Sequence, residues 1–184
     1  MNTKTKIGLA ILLVACGVLG RILPHAWNFA PIVAIGLFAG ARLGTRYAFT
    51  LPVLAMVISD MFIGFYDWRI NLTVYIAMAL SGGVGLLLRN RRNPIAIGIG
   101  SIAASTLFFL VTNGAVWAFS TMYTHSFGGL MSSYIAGIPF FRNAIVGDVL
   151  YSFAFFGLYE LSVFIYTKYA ERKSMRGAIT KVLS

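Results

Sequence analysis

IAIGIGSIAASTLFFLVTNGAVWAF, residues 95–119, decides the fold class because it runs for 25 residues without a charged side chain. A helix needs about 20 mostly apolar residues to cross a bilayer, so this stretch suffices for one span. Similar apolar runs occur at 7–23, 29–41, 47–65, 70–88 and 144–167. The pattern predicts an all-α, polytopic membrane protein with six transmembrane helices, of which the second is short or re-entrant.

The composition of the whole chain agrees with this fold class. The 184 residues are 59% hydrophobic and 11% charged, and the mean hydropathy is +0.82. Soluble domains carry about 25% charged residues, and disorder requires low hydrophobicity, so both classes are excluded. The net charge of +10 then indicates cytoplasmic loops rich in Lys and Arg rather than nucleic-acid binding. We expect a single transmembrane domain over residues 1–184, surrounded by lipids.

The distribution of cations predicts the orientation. With six spans and a cytoplasmic N-terminus, three of the 15 Lys and Arg fall outside, and 12 fall inside: Lys4, Lys6, Arg42, Arg46, Arg89, Arg91, Arg92, Lys168, Arg172, Lys173, Arg176 and Lys181. A five-span alternative, with 29–41 re-entrant and the N-terminus outside, puts 11 of the Lys and Arg residues inside and 4 outside. The charge distribution therefore barely separates the six-span from the five-span topology. We prefer six spans in a bacterial inner (plasma) membrane, with both termini cytoplasmic.

The segment 168–184 is predicted to be a basic cytoplasmic tail. It carries five cations and one acid, Glu171. A helix of this composition is expected to lie on anionic lipid headgroups, and docking of a partner is the alternative.

Polar and aromatic side chains gather at the predicted outer end of the bundle, whereas the inner half is nearly bare of them. Channels and proton pumps need polar groups at successive depths, so the asymmetry favours an outward-facing pocket for a small molecule. The connection 120–143 contains apolar pieces of its own and is expected to fold over this pocket as a cap or short helix that serves as its gate. The candidate binding residues are Trp27, Asn28, Asp60, Trp68, Asn71, Tyr75, Asn113, Trp117, Tyr123, His125, Arg142, Asn143 and Asp148.

Each of these residue types also has a simpler structural interpretation. The tryptophans and Tyr123 fit an aromatic belt at the membrane interface. The two aspartates can pair with Arg21, Arg69 or Arg142, and the asparagines can bond between helices. His125 can be solvated in a loop, and Cys16 fits a buried, inert thiol.

Several motifs that carry chemistry are absent from the sequence. It contains no G-x-S-x-G, H-E-x-x-H, C-x-x-C or P-loop string. Its single cysteine and two histidines are too widely spaced for a standard zinc site. We therefore expect no catalytic residue, no bound metal and no intrinsic cofactor.

Small residues recur at every fourth position, as at Gly36, Gly40 and Gly44. Such faces let helices approach closely. Packing inside the bundle is the default interpretation, and docking of another membrane protein is the alternative.

Four stretches carry a resemblance to a known family. They are NFAPIVAIGLFAGARLG (28–44), ISDMFIGFYDW (58–68), FFLVTNGAVWA (108–118) and MYTHSFGGLMSSYIAGIPFFRNAIVGDVLY (122–151). They resemble a group of small six-helix bacterial membrane proteins of unassigned function. That group is similar to the substrate-binding (S) components of energy-coupling factor (ECF) vitamin transporters, which include a solitary cobalamin-binding type. The resemblance covers roughly 20–165.

The resemblance implies an S-component-like bundle that captures a vitamin-sized molecule at its outer face. Such a subunit is not an enzyme, and it joins an ECF transmembrane coupling protein and two ATPases. Cobalamin is the first candidate substrate. The cobalamin-binding type uses a cysteine as cobalt ligand, whereas Cys16 here falls near mid-membrane, which leaves His125 or no ligand. The alternatives are an intramembrane enzyme using Asp60 and Asp148, and a structural or assembly subunit.

Overall fold

The computed structural model describes residues 2–24, 28–89, 91 and 93–183, with side chains described as far as 173. These residues form six helices and no strands: α1 (Thr3–Ile22), α2 (Ile32–Arg42), α3 (Thr45–Ile63), α4 (Trp68–Leu87), α5 (Pro94–Phe119) and α6 (Phe127–Leu183). Five of them are long and apolar enough to cross a membrane, and α2 is the short one. The prediction of an all-α, six-helix membrane protein with a short second helix is confirmed.

The helices alternate in direction and so define two ends of the bundle. At one end, α1, α3 and α5 finish while α4 and α6 begin; we call this the open end. The opposite end carries most of the cations and is called the basic end. There Arg42 bonds Glu160 of α6 at 3.1 Å and the carbonyl of Arg91 at 2.8 Å.

Helix α2 lies at the centre of the bundle. Its residues from Ile32 to Ala41 are all buried, and it contacts the other five helices. Its 11 residues rise about 16 Å, roughly half of the 30 Å hydrocarbon core of a bilayer. Helix α2 therefore fills only the half of the bundle nearest the basic end.

Glycines bring the backbones of α2 and α4 into direct contact. A Cβ added at Gly40 would meet the carbonyl oxygen of Gly82, and one added at Gly85 would meet the carbonyl group of Leu37. Nothing flexible can move aside at either point, because the obstructing atoms are backbone. The predicted small-residue face of α2 is thus used for packing inside the bundle.

Helix α6 begins much earlier than the sequence pattern suggested. The predicted sixth run starts at residue 144, whereas the helix starts at Phe127, so the connection before it is 120–126 rather than 120–143. The sequence predicts a connection rather than a helix before residue 144 because Pro139, Arg142 and Asn143 interrupt the apolar pattern. All three lie within the helix; Arg142 and Asn143 are exposed there.

The first part of α6 runs antiparallel along α5. The Ser133 hydroxyl donates to the carbonyl of Asn113 at 2.9 Å, and the Tyr134 hydroxyl donates to that of Leu110 at 3.0 Å. The rings of Phe109 and Phe141 stack at 4.4 Å. Helix α6 then passes α2 and continues through the predicted basic tail, and its 57 residues make about 85 Å, far more than one span.

The contact between α2 and α4 predicts a specific sensitivity of the fold. Replacing Gly85 by Ala forces a Cβ to within 2.8 Å of the Leu37 carbonyl carbon, and overpacking of this kind costs about 1–3 kcal/mol. We expect the thermal unfolding midpoint of the purified protein in detergent to fall.

The matched control is Gly157→Ala in α6, where an added Cβ has no neighbour within 4 Å. It should leave the midpoint unchanged or raise it slightly, because Ala favours helix over Gly. Equal midpoints for the two variants would contradict the proposed backbone contact.

Candidate functional site

A cavity of about 810 Å³ extends from the open end to the middle of the bundle. The cavity exists because α2 is long enough to cross only half of the bundle. Between Ile32 and the open end, irregular backbone that includes Asn28 lies where a longer helix would continue. The walls are mainly apolar. They are formed chiefly by Ile70, Val74 and Met78 of α4, Phe108, Phe109 and Val116 of α5, and Phe140 and Phe141 of α6.

A small number of polar side chains interrupt this apolar lining. They are Arg21, Asn28, Tyr66, Thr112, Asn113, Ser120 and Asp148. A concave, mostly apolar site with a few polar groups is the usual form of a small-molecule pocket.

Arg21, which is partly exposed, and Asp60, which is buried, form an ion pair beside the cavity. The Arg21 guanidinium lies 2.6 Å from the Asp60 carboxylate, which is 1% exposed. The Tyr75 hydroxyl donates to the other carboxylate oxygen at 2.7 Å, and Arg21 also donates to the hydroxyl of Ser59. The pairing of Asp60 with Arg21, which the sequence left open, is therefore present. It ties α1 to α3 and α4, and Arg21 alone of the pair lines the cavity.

Tyr66 stands in the connection between α3 and α4, at the mouth of the cavity. Partial burial raises the pKa of its phenol, the Asp60 carboxylate raises it further, and the Arg21 charge opposes both. A phenol with a raised pKa is neutral at neutral pH, so Tyr66 offers a hydrogen-bond donor at the mouth.

Asp148 lies at the deep end of the cavity, on α6. Its carboxylate accepts a hydrogen bond of 2.6 Å from the hydroxyl of Ser105, close to the midpoint of α5. Asp148 follows the start of α6 by 21 residues. The apolar run at 144–167 predicts that Asp148 lies in the first turns of the sixth helix, and this is wrong because α6 already begins at Phe127.

Asn113 and Asn28 line the part of the cavity nearest the open end. The Asn113 amide donates to the Phe109 carbonyl of its own helix at 2.9 Å. Gly137 of α6 packs against the amide oxygen, and a Cβ there would lie 2.5 Å from it. Asn28 has a φ of 57°, in the left-handed region that Asn tolerates better than most residues.

The sequence matches the protein family DUF6580, a family of unknown function, over residues 1–171. The chain belongs to this family. No curated protein and no solved structure matches it. For this DUF6580 protein, the site must therefore be interpreted from its own geometry.

Most of the other predicted binding residues lie away from the cavity of this DUF6580 protein. Trp68 is 67% exposed and contacts Arg69 through its ring, as expected of an interfacial tryptophan. Arg142 and Asn143 are exposed on the outer face of α6, so their assignment to the pocket is corrected. The reason is helical periodicity, since the side of α6 that carries Ala144 and Asp148 faces inward.

Three more predicted residues lie in or next to the connection 120–126 at the open end. Trp117 is half-buried, and its indole donates to the carbonyl of Thr124 at 3.1 Å. His125 is exposed and meets Trp117 edge to face. Tyr123 stands between them in the chain, and none of the three lines the cavity. Trp27 lies outside the described residues.

Asn71 and Tyr75 share one face of α4, as predicted, but neither side chain lines the cavity. The Tyr75 hydroxyl donates its hydrogen bond to the Asp60 carboxylate. Asn71 is 6% exposed, and its amide oxygen has no hydrogen-bond partner among the described residues. The predicted shared face is thus a packing face.

Sequence reasoning missed the aromatic wall and the polar residues next to it. Nothing in the sequence pattern marked three of these polar residues as pocket residues, apart from their position near Asn113 or Trp68 in the chain. They are Tyr66, Thr112 and Ser120. Phe140 and Phe141 were hidden by the misread loop. The apolar positions two turns before Asp148 were the available signal, since Phe141 and Asp148 are seven apart and share a helix face.

A second groove, of about 1090 Å³, runs between α1 and α6 toward the basic end. Cys16 lines it together with Leu13, Phe155 and Tyr159. Cys16 does not line the first cavity, and the described residues hold no group of three or more His, Cys, Asp or Glu side chains that could bind a metal ion.

The ion pair predicts how this DUF6580 protein responds to loss of either partner. Arg21→Leu leaves the buried Asp60 carboxylate without its cation, and Asp60→Leu leaves the Arg21 guanidinium without its anion. Removing one partner of a buried pair costs about 3–5 kcal/mol, whereas replacing both by apolar groups is often neutral. We expect the double variant to unfold at a higher temperature than either single variant.

Arg69→Ala is the control, since Arg69 is exposed and forms no ion pair in the described residues; it should change stability by less than about 0.5 kcal/mol. Additive losses in the double variant would show that the pair does not couple the helices.

Proposed function

We propose that this protein captures a vitamin-sized molecule from outside a bacterial cell, in the manner of an ECF S component. The observation that carries the proposal is the cavity, which is open at one end and closed by α2 at mid-depth. A through-channel would need a continuous polar path, whereas α2 supplies ten consecutive buried residues beneath the cavity, and none of them carries a polar or charged side chain.

The size and lining of the cavity support a small organic ligand. Ligand pockets usually measure about 300–1,000 Å³ and bury most of the ligand against apolar and aromatic groups. This cavity, at about 810 Å³, falls inside that range. The paired rings of Phe109 and Phe141 add an apolar wall, and Asn113 beside them offers an amide for orientation.

The charge asymmetry supports an orientation with the open end outside. Most of the cations lie at the basic end, and cytoplasmic loops are enriched in Lys and Arg. In this orientation, the ligand enters from the periplasmic side of the inner membrane, and both termini are cytoplasmic.

Delivery to the cytoplasm requires a partner in this proposal. The sequence has no P-loop for ATP hydrolysis, and α2 blocks direct passage. An ECF transmembrane coupling protein with its two ATPases is the partner that the S-component resemblance suggests.

Cobalamin is the first substrate to test, although no protein ligand to its cobalt is apparent. Cys16 lines the groove between α1 and α6, and His125 is exposed beside Trp117. We therefore propose that cobalamin, if it binds, does so without a Cys16–cobalt bond, and that smaller vitamins fit the cavity better.

Binding is favoured over catalysis by the separate surroundings of the two aspartates. Asp60 is engaged by Arg21 and Tyr75, whereas Asp148 is bonded to Ser105. Asp60 does not line the cavity, and this separation favours binding over an acid and base pair acting on one substrate. The assembly alternative also loses support, because the glycines of α2 are used against α4.

Native mass spectrometry of protein purified gently from its host tests the proposal. We expect a bound small molecule, with a corrinoid absorption spectrum if it is cobalamin. Ala144→Phe and Val116→Phe each add a ring inside the cavity and should abolish the bound mass.

Val146→Phe is the matched control, because Val146 is 54% exposed on the lipid-facing side of the same helix. It should keep the ligand. Retention of the ligand in both cavity variants would place binding elsewhere, and stable co-purification with larger subunits but no small molecule would favour the assembly alternative.

A further inference from the structure

The deep end of the cavity holds a carboxyl group with no protein cation. Asp148 is 3% exposed, and the hydroxyl of Ser105 is its hydrogen-bond donor. Among the described residues, no Lys, Arg or His lies within ion-pair distance of it. A buried carboxylate far from water is costly without a partner, and in a membrane bundle such a group marks a functional site.

The other charges near the cavity are already committed. Arg21 is neutralised by Asp60 at 2.6 Å. Arg142 is exposed, six residues from Asp148 and on the other side of α6, and Arg69 is exposed beside Trp68. Since Arg21 and Asp60 cancel, the cavity presents one unbalanced acid at its deep end.

Aromatic rings approach this acid from the open side. Phe108 and Phe109 follow Ser105 by about one helical turn, and Phe141 precedes Asp148 by two turns on the same face. A cation in a desolvated site is stabilised both by a carboxylate and by the faces of aromatic rings. The cavity therefore combines an acid at its deep end with aromatic rings on the open side of that acid, the two groups that a positively charged aromatic ligand requires.

We propose that the ligand captured here carries a positive charge on a flat aromatic body, such as a protonated amine or a quaternary ring nitrogen. The charged nitrogen lies against Asp148, and the ring lies against Phe109 and Phe141. This inference rests on the proposed capture function and specifies its substrate class.

A charge-sorted set of probes tests this assignment on the full-length protein. The probes are thiamine, which carries a quaternary ring nitrogen, riboflavin, which has no net charge, and biotin, which carries a carboxylate. Binding of each is measured by native mass spectrometry and by thermal shift at neutral pH, up to millimolar concentration. We expect thiamine to bind most tightly.

Asp148→Asn removes the charge while keeping an acceptor for Ser105. It should weaken thiamine binding by at least about 30-fold, the loss expected when a desolvated charge partner is removed. Ser152→Ala is the matched control: Ser152 lies one turn further along α6, is fully buried and bonds Ser101 outside the cavity. It should leave thiamine affinity unchanged.

The other outcomes separate the two proposals. If riboflavin or biotin binds in a manner that Ala144→Phe abolishes, and thiamine does not bind, the charge assignment is overturned while the capture function stands. Equal thiamine affinity in wild type and Asp148→Asn would also overturn the charge assignment. If no probe binds and the protein from its host carries no small molecule, both proposals fail.

Discussion

The direct contact between the backbones of α2 and α4 is the constraint on which the rest of the structure depends. Gly40 and Gly85 allow it, and a side chain at either position would push the two helices apart. The contact holds a helix of only 11 residues at the centre of the bundle. Because α2 begins only at mid-depth, with Ile32, the longer helices surround a space at the open end, so the cavity is a direct consequence of a half-length central helix.

The two intramembrane aspartates have different roles in this arrangement. Asp60 links three helices through Arg21 and Tyr75. This matters most for α1, whose side chains are largely exposed and whose main helix partner is α3. Asp148 instead has one hydroxyl donor and faces the cavity. One acid therefore ties helices together through an ion pair, and the other lies in the cavity wall with a hydroxyl as its hydrogen-bond partner.

The sequence was sufficient for the fold class but only partly for the site. Apolar runs indicated where the helices lie, and the distribution of Lys and Arg indicated which ends share a side. The short run at 29–41 indicated the short α2. The start of α6 was missed because Pro139, Arg142 and Asn143 resemble a loop when read locally; packing of α6 along α5 overrides that local pattern. Of the predicted binding residues, Asn28, Asn113 and Asp148 line the cavity, whereas Asn71 and Tyr75 do not, since sequence shows which residues share a helix face but not which neighbour that face meets.

The continuity of α6 also limits how the cavity can open. The predicted gate over 120–143 is mostly helix, and bonds from Ser133 and Tyr134 fasten it to α5. Helices α5 and α6 thus form one hairpin that resists local opening. The irregular backbone at the open end is confined, within the described residues, to the stretches around Asn28, 64–67 and 120–126. Asn28, Tyr66, Ser120 and Met122 line the cavity from these three segments, so under the proposed capture function these short segments, rather than a large loop, border the entrance.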